Sequence, residues 1–138
     1  MALERVWPED VYKRTLPGFD RPVYAQVVVA QPGKRSVSIA GTFAADTEFN
    51  IIGEGSMKEQ VRAVLENIGR SVEAVGGTRA DIVRTKTYVT DIEAYVREGH
   101  EEWMSFFGEH TPASTAVEVA ALADSRCVVE IEAYAELD

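Results

Sequence analysis

Cysteine, histidine and positive charge are all scarce in this chain. Cys127 stands alone, so no internal disulfide can close and no thiolate metal site can be assembled. It falls in an alternating apolar stretch, where a small buried hydrophobe is expected rather than a reactive thiol. His100 and His110 are ten residues apart, without the short helical spacing of a zinc pair, so no metal site is expected. Lys and Arg number 14 against 23 Asp and Glu, a formal net charge of -9 at pH 7. Arg62, Arg70, Arg79, Arg84, Lys86 and Arg97 are scattered among acids and form no basic run. Binding a phosphate backbone needs clustered cations, so nucleic acid is not an expected partner.

Long apolar runs are missing too, and the first ten residues hold no apolar signal core. These absences point to a cytoplasmic protein with no membrane partner. No dinucleotide fingerprint or serine-hydrolase elbow occurs. Gly53-Glu-Gly-Ser-Met leads into a helix but lacks the lysine and glycine spacing of a P-loop.

What is present reads as one domain over residues 1–138, with an irregular arm over 1–23 broken by Pro8, Pro17, Gly18 and Pro22. A strand is expected from Tyr24 to Ala30. The turn Gln31-Pro32-Gly33-Lys34 would fold it into a hairpin with residues 35–41, where Val37 and Ile39 share a face. Gly41 ends that strand, as at a bulge or a close backbone approach. Ser56 and Glu59 have the spacing of a capping box. Behind them Val61, Val64, Leu65, Ile68, Val72 and Val75 form the stripe of an amphipathic helix, stopped by Gly76-Gly77.

Residues 82–90 are β-branched and alternate. Asp91 caps a second helix carrying Tyr95, Trp103, Phe106 and Phe107, weakened at Gly99 by about 1 kcal/mol against Ala. The last third predicts two strands, 112–122 and 127–135, joined by a turn at 123–126. In the second of these, Val129, Ile131, Ala133 and Ala135 face one way and Val128, Glu130, Glu132 and Tyr134 the other.

The order β-β-α-β-α-β-β suggests an α+β two-layer sandwich, a mixed sheet with two helices on one face. The other face would carry Val28, Tyr88, Ala120, Val128 and Tyr134 among Gln26, Glu118 and Glu130. That is too apolar for a solvated surface, and a homo-oligomer burying it is expected.

A set of segments resembles the Rid (YjgF) family: Tyr24-Ala-Gln, Ile39-Ala-Gly, Gln60 to Asn67, Asp81-Ile-Val-Arg-Thr-Lys-Thr-Tyr-Val-Thr-Asp, Trp103 to Phe107, Pro112-Ala and Val129-Glu-Ile-Glu-Ala. The resemblance runs from about Tyr24 to Ala135. It implies a chorismate-mutase-like fold, a homotrimer, and small-molecule clefts between neighbouring subunits. It also implies hydrolysis of imines and enamines, such as 2-aminoacrylate, to ketoacids and ammonia without metal or organic cofactor. Active members place an arginine after Pro-Ala to clamp a substrate carboxylate; here that residue is Ser114, which offers no charged planar fork. Ala40, Ala116 and His100 also depart from the family pattern, while Tyr24, Gly41 and Glu130 keep it.

The resemblance assigns Glu130 to a hydrolytic water and Tyr24 and Gly41 to the ligand cleft. The hydroxyls of Ser114 and Thr115 are candidate ligand contacts there, and His100 is either a further cleft residue or a surface or packing histidine. Glu130 could also bind a cationic ligand, or form a structural ion pair with Arg84, Lys86 or Arg126. A structural role is expected of Glu132. The expected activity is a hydrolase or deaminase of an imine, enamine or related nitrogen metabolite other than standard 2-aminoacrylate. The alternative is a non-catalytic binder using the same clefts, and a ribonuclease is disfavoured by charge.

Overall fold

Ser56 starts the longest helix, its hydroxyl accepting the Glu59 N–H at 3.2 Å as the first half of a capping box does. In the computed structural model, which describes residues 3–31 and 35–138, this helix is α1, Met57–Glu73. Its stripe is the core: Val61, Val64, Leu65, Ile68 and Val72 are at most 1% exposed. Val75 lies past the helix end and is exposed instead. Gly76 adopts φ +90°, and the Gly77 N–H returns to the Val72 carbonyl at 3.0 Å, closing the helix as a left-handed glycine cap does.

Six strands accompany it among the described residues: β1 Glu4–Val6, β2 Val27–Val29, β3 Arg35–Thr42, β4 Ile82–Val89, β5 Ala113–Glu118 and β6 Val129–Leu137. Four make a mixed sheet in the order β3-β6-β4-β5, antiparallel except for the parallel β4–β5 pair. The helices pack on one face, giving the expected two-layer α+β arrangement. β6 lies inside the sheet, and its alternation is as read: Val129, Ile131, Ala133 and Ala135 are at most 1% exposed, while Glu130, Glu132 and Tyr134 are half-buried opposite.

Strand pairing departs from expectation twice. β2 is short and pairs with β1 from the arm, Val6 opposite Val27, in a separate two-stranded sheet. The hairpin expected between residues 24–30 and 35–41 is therefore not made among the described residues, and most of its turn, 32–34, lies outside them. The arm is thus not wholly irregular. Its grip is local and polar: Arg5 Nε donates to the Thr111 carbonyl at 2.8 Å and Trp7 Nε1 to that of Tyr24 at 2.9 Å. The final two strands also form no hairpin, because β4 sits between them and residues 119–128 cross over it.

The second helical segment spans 92–107 and is not uniform. α2, Ile92–Ala94, is capped by Asp91, whose carboxylate accepts from Ala94 N–H at 3.0 Å. A π-helical turn, Tyr95–Gly99, then leads into α3, His100–Phe107. A Cβ on Gly99 would stand 2.7 Å from Tyr95 Cδ1 and 3.2 Å from Val61 Cγ2, so glycine's helix penalty is offset by close approach to α1. Trp103 and Phe107 are core, as is Cys127, whose thiol is pushed up chiefly by burial.

Two polar side chains of α1 brace the loops around the sheet. Gln60 is fully buried; its Nε2 donates to the Arg126 carbonyl at 2.9 Å and its Oε1 accepts the Val128 N–H at 2.8 Å. Asn67 Nδ2 donates to the carbonyls of Phe43 and Ala45 at 3.1 and 2.9 Å. Gln60→Leu keeps the volume and orphans both backbone partners. It is expected to lower stability by about 3 kcal/mol in urea titration, and an unchanged midpoint would refute the bracing role.

Candidate functional site

The pleat that buries half of β6 obliges its acids onto the open face, where the two meet different surroundings. Glu132 accepts the Tyr88 hydroxyl at 2.6 Å and the Tyr134 hydroxyl on its other oxygen. These phenols, Tyr134 first, hold its carboxyl below the usual range, and their own pKa values are raised in return. The Arg84 guanidinium lies 4.3 Å above the Tyr134 ring, and Lys86 Nζ lies 5.5 Å from that of Tyr88. Glu132 is a satisfied structural acid.

Glu130, two residues earlier, has no hydrogen-bond or ion-pair partner among the described residues. None of the three cations expected as possible partners reaches it. Arg84 and Lys86 lie over the tyrosines, and Arg126 is held by Asp124 at 2.7 Å. That arginine lowers the Asp124 carboxyl to about 2. Room for Glu130 comes from Gly41. The β3–β6 register slips between Ile39 and Thr42, a bulge, and a Cβ on Gly41 would overlap the Glu130 carboxylate and stand 2.8 Å from its Cδ. The two residues line a cavity of about 540 Å³ roofed by the 119–123 segment.

The other candidates gather in a second cavity of about 560 Å³ near the β5 edge, containing Tyr24, His100, Ser114 and Thr115. The Ser114 hydroxyl is 3.1 Å from Thr85 Oγ1, turned to the helix side of the sheet. His100 stacks edge-on against Tyr95, ring centroids 5.0 Å apart, and its Nδ1 is buried without a partner. Burial, with the charge of Arg14 adding, lowers the imidazole to about 4, so the ring is neutral at pH 7. Burial and the neighbouring Tyr12 phenol raise Tyr24, with Arg14 acting in the opposite sense. Gln26 Oε1 is likewise buried and unpartnered in this cavity.

One chain therefore splits the expected set. Glu130 pairs with Tyr88 on one side of β4 and Ser114 with Thr85 on the other. Two strand spacings across and three residues along put them on the order of 14 Å apart. Tyr12, Arg14 and Gln26 join the second cavity without having been expected there; the arm carrying the first two shows no periodicity to flag them. Among the described residues no His, Cys, Asp and Glu cluster suits a metal ion, and no helix is long and apolar enough to cross a membrane.

Two outcomes follow from this geometry. Gly41→Ala displaces only the flexible end of Glu130, so the unfolding free energy should change by less than about 1 kcal/mol while the carboxylate moves, a displacement visible in a crystal structure of the variant. For His100, the unfolded chain binds a proton near pH 6.5 and the folded one only near 4. Stability contributed by the neutral ring is whole above pH 6.5 and is lost as pH falls toward 4. After discounting for solvent screening this is roughly 1–2 kcal/mol, and His100→Asn should flatten the stability–pH curve across that window.

Comparison with known proteins agrees with this architecture. The family model described as endoribonuclease L-PSP matches residues 19–137. A RutC family protein of Pyrococcus horikoshii is 37% identical over 97 residues, covering 70% of this chain and 75% of its own length. The crystal structure of YyfB, a Rid family protein of Yersinia pestis, superposes with a TM-score of 0.85 at 28% identity, covering 99% of this chain and 100% of that one. Rv2704 of Mycobacterium tuberculosis, from the YjgF/YER057c/UK114 family, gives a TM-score of 0.65 at 36% identity over 83% and 86% of the two chains. With its α+β, chorismate-mutase-like fold and a family match over nearly its whole length, the chain belongs to the Rid (YjgF) family.

Proposed function

We propose that this protein is a cofactor-independent hydrolase of an imine, enamine or related small nitrogen compound, working as a homotrimer with clefts between subunits. The observation that carries the reading is Glu130, a carboxylate without partners among the described residues, beside a glycine bulge that makes room for it. In this reading Glu130 takes a proton from water as the water oxygen adds to the C=N carbon. Glu130 passes that proton on to the imine nitrogen, giving a neutral carbinolamine and restoring the carboxylate. The C–N bond then breaks and ammonia leaves, with the hydroxyl proton returned through Glu130 and a carbonyl product remaining.

Glu130 and Tyr24 lie in separate cavities of one chain, so the reading requires a second copy to join them. Ser114 cannot clamp a carboxylate as an arginine does, which argues for a substrate other than 2-aminoacrylate. The same substitution favours the second reading, a binder that performs no chemistry in these clefts. The ribonuclease named in the family description is opposed here by the net charge of -9.

Glu130→Gln should lower the rate of imine hydrolysis by about 10²- to 10⁴-fold with little change in KM. Mixing Glu130→Gln with Tyr24→Phe subunits should recover activity that neither variant shows, because mixed oligomers contain some intact clefts. Wild-type hydrolysis that is indifferent to Glu130 would reject the reading. Ligand-induced thermal stabilisation without turnover across an imine panel would favour the binder.

A further inference from the structure

The chain carries far more acids than bases, yet the cavity holding Tyr24 reverses that balance. Its lining includes Arg14, Arg84 and His100, and no Asp or Glu. The cavity holding Glu130 is the converse, with Glu130 and Glu132 and no cation. An electropositive cleft on a protein of charge -9 is built against the general field.

The two arginines are not equivalent. Arg84 has its guanidinium over the Tyr134 ring, on the sheet face that also holds Glu132. Arg14 has no ion-pair or hydrogen-bond partner for its side chain among the described residues. Its backbone is nevertheless fixed. The Arg14 carbonyl accepts the Val23 N–H at 2.8 Å, and the Thr15–Pro22 bridge closes the loop between them. Val23 is in turn held from behind, its carbonyl accepting Trp103 Nε1 at 3.1 Å. The arm thus secures a free guanidinium beside Tyr24, near enough for its charge to act on both Tyr24 and His100. Val23, Ile92, Tyr95 and Trp103 add apolar and aromatic wall, beside the uncharged polar groups of Gln26, Ser114 and Thr115.

We infer that Arg14 is the anion-binding residue of this cleft. It supplies from the arm the charge that Ser114 lacks, and the cleft admits a small organic anion with an apolar body. The inference rests on the small-molecule cleft proposed above and adds the class of ligand and the residue that selects it. A guanidinium that is free of acid partners can grip a carboxylate by two parallel N–H···O bonds. The buried Nδ1 of His100 and Oε1 of Gln26 are open to the polar groups of such a ligand.

The test is calorimetric titration of the full chain with 3-methylbutanoate and with its uncharged amide, which have the same apolar body. Wild type should bind the acid at least about tenfold more tightly than the amide. Arg14→Gln should abolish that preference, and Arg14→Lys should keep it in part because the charge remains. Acid and amide bound alike by wild type, no binding of the acid at millimolar concentration, or a preference that survives Arg14→Gln would each overturn the inference. So would a preference removed by Arg84→Gln while Arg14→Gln retains it. The readout needs no turnover. An intact preference without hydrolysis would sink only the proposed reaction, and Glu130-dependent hydrolysis with an unchanged Arg14→Gln isotherm would sink only this assignment.

Discussion

Everything in this molecule turns on the pleat of β6. With Val129, Ile131, Ala133 and Ala135 packed against the helices, Glu130, Glu132 and Tyr134 have no choice of face. A slip of one residue would drive carboxylates into the core, so hydrophobic burial fixes the register and the register delivers the acids. Their different fates are then settled by neighbours. Two phenols saturate Glu132, whereas the bulge at Gly41 leaves Glu130 unbound. The same strand supplies a structural acid and a chemically free one.

Local rules read from the residues succeeded where the governing interactions are local. The Ser56 cap, the stripe of α1 from Val61 to Val72 and its glycine stop depend on neighbours within a turn and are as the spacing predicts, while Val75 falls outside the helix. The alternation of β6 and the bulge at Gly41 were legible for the same reason. Partner choice was not. Val27–Val29 could pair with any edge, and nothing nearby in sequence announces that Glu4–Val6 takes it. Nor does the 123–126 turn reveal that β4 separates β5 from β6. The candidate residues themselves were found through likeness to a family, but their division between two cavities depends on strand order. Arg14 escaped because an exposed cation on an irregular arm carries no pattern.

Charge is sorted across the sheet rather than averaged over it. One cavity carries acids without cations and the other cations without acids, on a chain whose overall excess is strongly negative. The sorting holds for the cavity linings alone, since Arg84 and Lys86 stand over Tyr134 and Tyr88 and still lower the Glu132 carboxyl. The arm takes part directly, since β1 captures β2 and the loop after it presents Tyr12 and Arg14.

The π turn at Tyr95–Gly99 acts as a phase adjuster within the helical segment. Residues five apart on a regular α-helix point about 140° away from one another, yet Tyr95 and His100 meet edge to face. One surplus residue thus lets the helix aim His100 at the cleft while Trp103 and Phe107 still enter the core. Excising one residue between 95 and 99 would restore ordinary winding and leave the two ends close to their present phase, because the wider turn had absorbed the extra residue. The turn therefore takes in its added residue without turning Trp103 and Phe107 out of the core, and the segment tolerates a length that a plain helix would not.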